Sequence, residues 1–273
     1  MPVVFSSPHS GLDYPPEFLA AARLDARSLR RSEDSYVDEL FQLAPDLGAP
    51  LLAALFPRVY VDANREAFEL DPAMFEDPLP PEANTASPRV SAGLGMIARV
   101  VATGEEIYSR KLRFAEALAR IERHWRPYHS MLAGLIAETR HRFGFCVLID
   151  CHSMPSVGGP FERDAGHERV DVVLGDCRGA SCAPALTSRV EAALRQLGYN
   201  VARNNPYSGG FVTQHYGRPA EASHALQIEL NRALYLDEAT LERGPGFGRL
   251  VADLGELVRA IGEIARELEA AAA

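Results

Sequence analysis

The sequence predicts an α/β protein: one three-layer α/β/α domain over residues 1–273, with a mostly parallel or mixed central sheet between two helical layers. Three observations predict it. Short apolar runs, "PVVFS", "PLLAAL", "FCVLID", "RVDVVLG", "GYNVARN" and "HALQIEL", recur along the whole chain. Stretches of helical periodicity separate several of them. A chain of 273 residues that is 47% hydrophobic and 24% charged has the length and composition to bury a substantial core.

Residues 2–6, "PVVFS", read as a buried strand that breaks into the Pro- and Gly-punctuated loop "SPHSGLDYPPEF". "SEDSYVDELFQLA" reads as a helix with Ser32 at its N-cap and acids in its first turn. "PLLAAL" and "RVYVDANR" read as strands, the second alternating Val59 and Val61 with Tyr60 and Asp62. Residues 66–103, rich in Pro, Gly and acids, read as a long loop over one face. From Glu105 to Phe143 the pattern is helical, with Pro127 opening a second helix after a break at Trp125–Arg126. "FCVLID", "RVDVVLG", "GYNVARN" and "HALQIEL" supply further strands, and "APALTSRVEAALRQLG" is a helix between the second and third of these. Leu250, Leu254, Leu257, Ile261, Ile264 and Leu268 form the apolar stripe of a last helix; packing on the sheet is the favoured use and an oligomer seam the alternative.

A net charge of −9 excludes nucleic acid and anionic membrane as main partners, since like charges repel. It leaves room for a small anionic substrate, which sees only the local field of a cleft. No run approaches the roughly 18 apolar residues of a membrane span. The start, "MPVVFSSPHSG", lacks the basic region of a signal peptide. Four cysteines without scaffold or zinc-finger spacing read as reduced thiols, so the expected location is cytoplasmic.

In open α/β sheets, ligands sit beyond the carboxyl ends of strands. On this reading His9 follows the first strand, Asn64 and Arg65 the third, and His152 the "FCVLID" strand, while Glu229 lies within the last. His9 and His152 stand out because both occur where a buried strand gives way to a Pro/Ser/Gly loop. Two imidazoles and one carboxylate, with a fourth position open to water, compose a catalytic zinc site. His124, His129, His141 and His167 lie in helical or polar surroundings and read as hydrogen-bonded or surface residues. A Ser153 or Cys151 nucleophile lacks its motif. Arg65 closes an alternating strand, where a guanidinium fork suits a substrate carboxylate; a surface ion pair is the plainer role. His215 and Tyr216, in "QHYG", read as oxyanion donors or as a mobile aromatic lid.

"SPHSG", "DSYVDELF", "RVYVDANR", "GLGMIARV…GEEIY", "RPYH", "LIDCHSMPS", "PYSGGFVTQHYGRP" and "ALQIELNRALYLDE" occur in this order. In them the chain resembles the N-formylglutamate amidohydrolase family from about Val3 to Glu238. The resemblance implies a zinc hydrolase, related to the carboxypeptidase A and aspartoacylase type and sharing its fold. It would carry Zn²⁺ and cleave N-formyl-L-glutamate to formate and L-glutamate. Such enzymes present, in chain order, a histidine ligand, an acidic ligand, a carboxylate-binding arginine, an Asn-Arg pair, a second histidine ligand and a catalytic glutamate. The implied counterparts are His9, an acid, Arg58, Asn64–Arg65, His152 and Glu229.

The distant relatives place the acidic ligand three residues after the first histidine, where this chain has Leu12. The ligand must come from elsewhere: Asp34 is favoured, with Asp38, one helical turn on, and Asp13 as alternatives. Asp150 would be an acceptor that orients a ligand imidazole, or a strand-end cap. Arg232 fixes the exit of the last strand, pairs with Glu229, or touches the substrate's distal carboxylate. The rival readings are the same chemistry on another small N-acyl amino acid and a non-catalytic anion binder. The oligomeric state stays open.

Overall fold

The computed structural model describes residues 1–160, 162 and 164–272. Strands β1 (Val3–Ser7), β2 (Leu51–Ala53), β3 (Cys146–Met154), β4 (Val172–Gly175), β5 (Val201–Arg203) and β6 (Ser223–Asn231) form one mixed sheet in the order β2-β1-β3-β6-β4-β5. The β4–β6 pairing is antiparallel and the other four are parallel. The α/β architecture read from the sequence is the one the chain builds.

Side chains alternate across each strand, so each face can be read separately. One face presents Val3, Phe5, Val147, Ile149, Cys151, Leu226, Ile228 and Leu230 to an apolar core. Helices α3 (Val37–Leu40), α7 (Pro184–Gln196) and α9 (Phe247–Ala272) cover it. Leu250, Leu254, Leu257, Ile261 and Ile264 of α9 are buried there, so the predicted stripe does pack on the sheet. The opposite face presents Val4, Cys146, Leu148 and Ala225 to a second core. Helices α1 (Pro16–Ala21), α2 (Ala26–Arg30), α5 (Phe114–Arg120), α6 (Arg126–Phe143) and α8 (Phe211–Tyr216) close over that side. This second face changes character along its strands. Towards their carboxyl ends it carries Ser6, Asp150, His152, Gln227 and Glu229, all buried. Buried polar groups are costly unless paired, so this half-face marks where chemistry is built.

Five local expectations fail. "RVYVDANR" is a run of turns and not a strand: Tyr60 N–H bonds Pro57 O, and the Asp62 carboxylate accepts Asn64 N–H at 2.8 Å. That aspartate-centred turn overrides the alternating pattern. Ser32 caps no helix, because its hydroxyl accepts Ala102 N–H from the long loop, which includes the short helix α4 (Pro88–Ser91). The chain reaches α3 only after Tyr36, whose φ of 64° makes the turn and whose hydroxyl is anchored on Leu241 O. Asp34 therefore precedes the helix, and the predicted one-turn relation to Asp38 does not exist. At Trp125–Arg126 there is no break, since the π-helical segment Ile121–Trp125 joins α5 to α6 and accommodates Pro127. Finally, β3 runs on to Met154, and His152 lies inside the strand, not after it.

Among the described residues no helix is long and apolar enough to cross a membrane.

Candidate active site

His9 leaves the end of β1, Asp34 arrives from the segment before α3, and His152 projects from β3. The Asp34 N–H donates to His9 O at 3.1 Å, which ties the first two segments together. Asp34 Oδ2 lies 3.2 Å from His9 Nδ1 and 2.9 Å from His152 Nδ1. One ligand atom from each residue falls within 4.8 Å of the other two, and all three residues are buried. Of the three acids the sequence left open, only Asp34 meets the histidines. Asp38 is half-buried in α3, and Asp13 and Leu12 are exposed.

The outward nitrogens are engaged as well. His9 Nε2 is 2.8 Å from Asp62 Oδ1, and His152 Nε2 is 2.9 Å from Asp150 Oδ2. Donation from all four ring nitrogens would require two buried imidazolium rings side by side. A dication between the Nδ1 atoms and Asp34 removes that requirement, with each Nε2–H donating to its own carboxylate. Carboxylates in that position fix the tautomer and orientation of a ligand imidazole. For bonds of about 2.0–2.1 Å, a tetrahedral zinc site has ligand–ligand edges of about 3.3 Å, near the two separations of Asp34 from the histidines. Burial opposes charge on Asp34, yet the bonds to His152 and His9 hold its carboxyl well below the usual range. Burial likewise works against charge on His152, but Asp150 and Asp34 raise it well above an ordinary imidazole. The residues fit a divalent metal.

The arginines differ in how far they are committed. Arg232 is buried and spends its donors on Glu33 O, Arg31 O, Ser153 Oγ and, at 3.1 Å, Asp34 Oδ1. It orients Asp34 and makes no ion pair with Glu229. Arg65 is also buried: Nε donates to Leu94 O, Nη1 to Asn64 O, and Nη2 lies 3.7 Å from Asp62 Oδ2. Burial lowers its pKa to about 10. Arg58 is the open one, with 27% of its side chain exposed. Its Nε donates to Asp62 Oδ2, and its Nη1 lies 3.6 Å from Asp34 Oδ1. Burial opposes its charge, but Asp62, Asp34 and Glu229 hold it fully protonated.

Asn64 is spent within the protein. Its Oδ1 accepts Val212 N–H at the start of α8, and its Nδ2 lies 3.1 Å from His152 Nε2 and 3.4 Å from Asp150 Oδ2. The fit requires Gly210, because a Cβ there would lie 2.2 Å from Asn64 Nδ2. Tyr216 stacks on His129 and bonds its Nδ1 at 2.9 Å, while His129 Nε2 donates to Ala63 O. Burial lowers the His129 pKa to about 4, so the ring stays neutral and braces the Asp62–Arg65 turn. His215 is exposed and stacked on Phe211, with no hydrogen bond to the triad among the described residues.

Glu229 occupies the rung of β6 beside His152. Burial raises its pKa to about 7, with nearby Asp34 raising it further and His152 and Arg58 pulling it back. Gln227 Nε2 donates to Glu229 Oε1 at 2.8 Å. Sequence reasoning passed over Asp62, Gln227 and His129 as site residues. Asp62 was hidden by the Val-x-Val alternation. For Gln227 the signal was present: an amide two residues before an acid, in one apolar strand.

The N-formylglutamate amidohydrolase family model matches residues 1–236. An N-formylglutamate deformylase of Pseudomonas aeruginosa is 33% identical, over 96% of this chain and 90% of its own length. The N-formylglutamate deformylase of Pseudomonas putida is 32% identical, over 87% and 83%. The crystal structure of an N-formylglutamate amidohydrolase from Ralstonia eutropha superposes with a TM-score of 0.90 at 41% identity, covering 98% of this chain and 95% of that one. With matching motifs, fold and near full-length likeness, the chain belongs to the N-formylglutamate amidohydrolase family.

Proposed function

We propose that the protein is a zinc-dependent amidohydrolase that cleaves the formyl amide of N-formyl-L-glutamate, giving formate and L-glutamate. The observation that carries this reading is the His9–Asp34–His152 triad, with a carboxylate behind each imidazole and a buried acid, Glu229, on the next strand. His9, Asp34 and His152 would hold the metal, and zinc suits two imidazoles and a carboxylate. When bound, such a metal acts as a Lewis acid and lowers the pKa of its water to about 7.

The chain supplies the rest. Glu229, poised near neutrality, takes a proton from water at its carboxylate and returns it to the departing amine. Asp62 and Asp150 keep the imidazoles aimed inward, and Arg232 does the same for Asp34. Arg58, the guanidinium with solvent access, anchors a substrate carboxylate, with Arg65 and Asn64 shaping the wall behind it. The likeness to the two deformylases supports N-formyl-L-glutamate as substrate, because a formyl group needs little room and recognition falls on the glutamate half. The test is formate release from a panel of N-formyl and other N-acyl amino acids, with and without chelator. Chelator-sensitive release favouring N-formyl-L-glutamate supports the reading. Chelator-resistant release removes its metal, and a preference for another acyl group removes its substrate.

A further inference from the structure

We propose that Gln227 is a positioning residue that holds the Glu229 carboxylate in the orientation needed for proton transfer; this rests on reading Glu229 as the base. Residues two apart on a strand share a face. Gln227 and Glu229 therefore stand together on β6, beside Asp150 and His152 on β3. Gln227 is 3% exposed and Glu229 8%. The backbone of Gln227 lies between two paired strands, opposite Asp150 on one side and Gly175 on the other. The ladder thus occupies the main chain, and the side-chain amide is left to serve Glu229.

That amide makes the one hydrogen bond the Glu229 carboxylate receives among the described residues, at 2.8 Å on Oε1. The terminal torsion of a free glutamate is broad and roughly two-fold, so an unheld carboxylate samples many directions. With Oε1 fixed by a donor, Oε2 is the oxygen left to meet a water proton. A neutral donor is suited to this task. A lysine or arginine at 227 would hold the carboxylate equally well but would stabilise its charged form and weaken it as a base. The plainer account, in which the amide only satisfies a buried acid, predicts a stability effect without a selective catalytic one.

The test uses the metal-loaded protein and N-formyl-L-glutamate, and compares Gln227→Met, Glu229→Gln and the double variant. Gln227→Met is expected to lower kcat about 10- to 100-fold, with metal content unchanged. KM should stay within about twofold, and adding Gln227→Met to Glu229→Gln should cost less than about twofold more. That non-additivity is what a merely structural role does not produce. Should the methionine variant fail to fold, Gln227→Asn keeps the amide, shortens its reach and is expected to act in the same direction. Losses that multiply in the double variant, an effect on KM alone, or full activity of Gln227→Met overturn the proposal. A fully active Glu229→Gln removes the reading of Glu229 and this proposal with it. An inactive Glu229→Gln beside a fully active Gln227→Met removes the proposal alone.

Discussion

His152 and Glu229 are partners on one rung of the parallel β3–β6 ladder, so a buried imidazole and a buried acid leave adjacent strands on the same face. Neighbouring strands lie about 4.8 Å apart, which brings both side chains to one place without any loop having to position them. Sites built on strands are held more firmly than sites on loops. His9 and Asp34 lie outside the strands, and Asp34 ties them to this rung by its bonds to both histidines.

The first prediction is one divalent metal per chain, lost in large part from His9→Ala, Asp34→Ala and His152→Ala. Removing metal by chelation should lower the thermal midpoint of the parent, because an ion that binds only the folded state stabilises it. Elemental analysis and thermal scans check this. Full occupancy in all three variants would sink the site.

The carboxylates behind the imidazoles should matter unequally. Asp150→Asn and Asp62→Asn each remove the charge of such an acceptor and put an amide donor in place of one oxygen, worth about 10- to 100-fold in metal affinity or activity. Asp62 also accepts from Asn64 N–H and Arg58, so its variant should lose stability too. Competition with a chelating dye and a denaturant midpoint separate the two effects. Equal stability losses would show that the Asp62 turn has other support.

The arginines should divide into one that binds and one that braces. Arg58→Lys keeps the charge without the fork, and KM for N-formyl-L-glutamate should rise with little change in stability. Arg65→Lys loses bonds to Leu94 O and Asn64 O, at a cost of about 1–3 kcal/mol. Steady-state kinetics beside unfolding curves decide. The reverse pattern would return the clamp to Arg65.

The acid limb of kcat/KM should belong to Glu229. Its pKa is raised to about 7, and a base acts only when deprotonated, so activity falls as pH drops through that value. A bound dication favours the carboxylate and shifts the midpoint below 7. Glu229→Gln should abolish the limb along with most of the rate. A pH profile of unchanged shape in the variant would assign the titration to another group.

Gly210→Ala should disturb the site from outside it. The new methyl would lie 2.2 Å from Asn64 Nδ2 and 2.4 Å from its Oδ1, atoms already committed to α8 and β3. Overpacking of this kind costs about 1–3 kcal/mol. A thermal midpoint equal to that of the parent would mean that Asn64 can give way.

Much of this was legible in the sequence. The alternation of apolar runs and helical stripes is enough for an α/β sheet covered on both faces, since both periods report burial directly. The break after the first buried strand exposed His9, a polar cluster closing the apolar run "FCVLID" exposed His152, and an acid inside "ALQIELNR" exposed Glu229. These are local signals: a costly residue in an apolar run, visible wherever the chain folds.

What the sequence left open were relations between distant segments. Asp34 was favoured, but Asp38 and Asp13 stayed open, because the choice depends on the Tyr36 turn and on where His9 and His152 meet. "RVYVDANR" alternates like a strand, yet Asp62 is needed by His9, Arg58 and its own backbone, and those bonds bend it into a turn. The division of labour among Arg58, Arg65 and Arg232 rests on which carbonyls and carboxylates each meets. A guanidinium has the same donors in any sequence. Only packing decides which of them are already spent, and so which arginine remains free for a ligand.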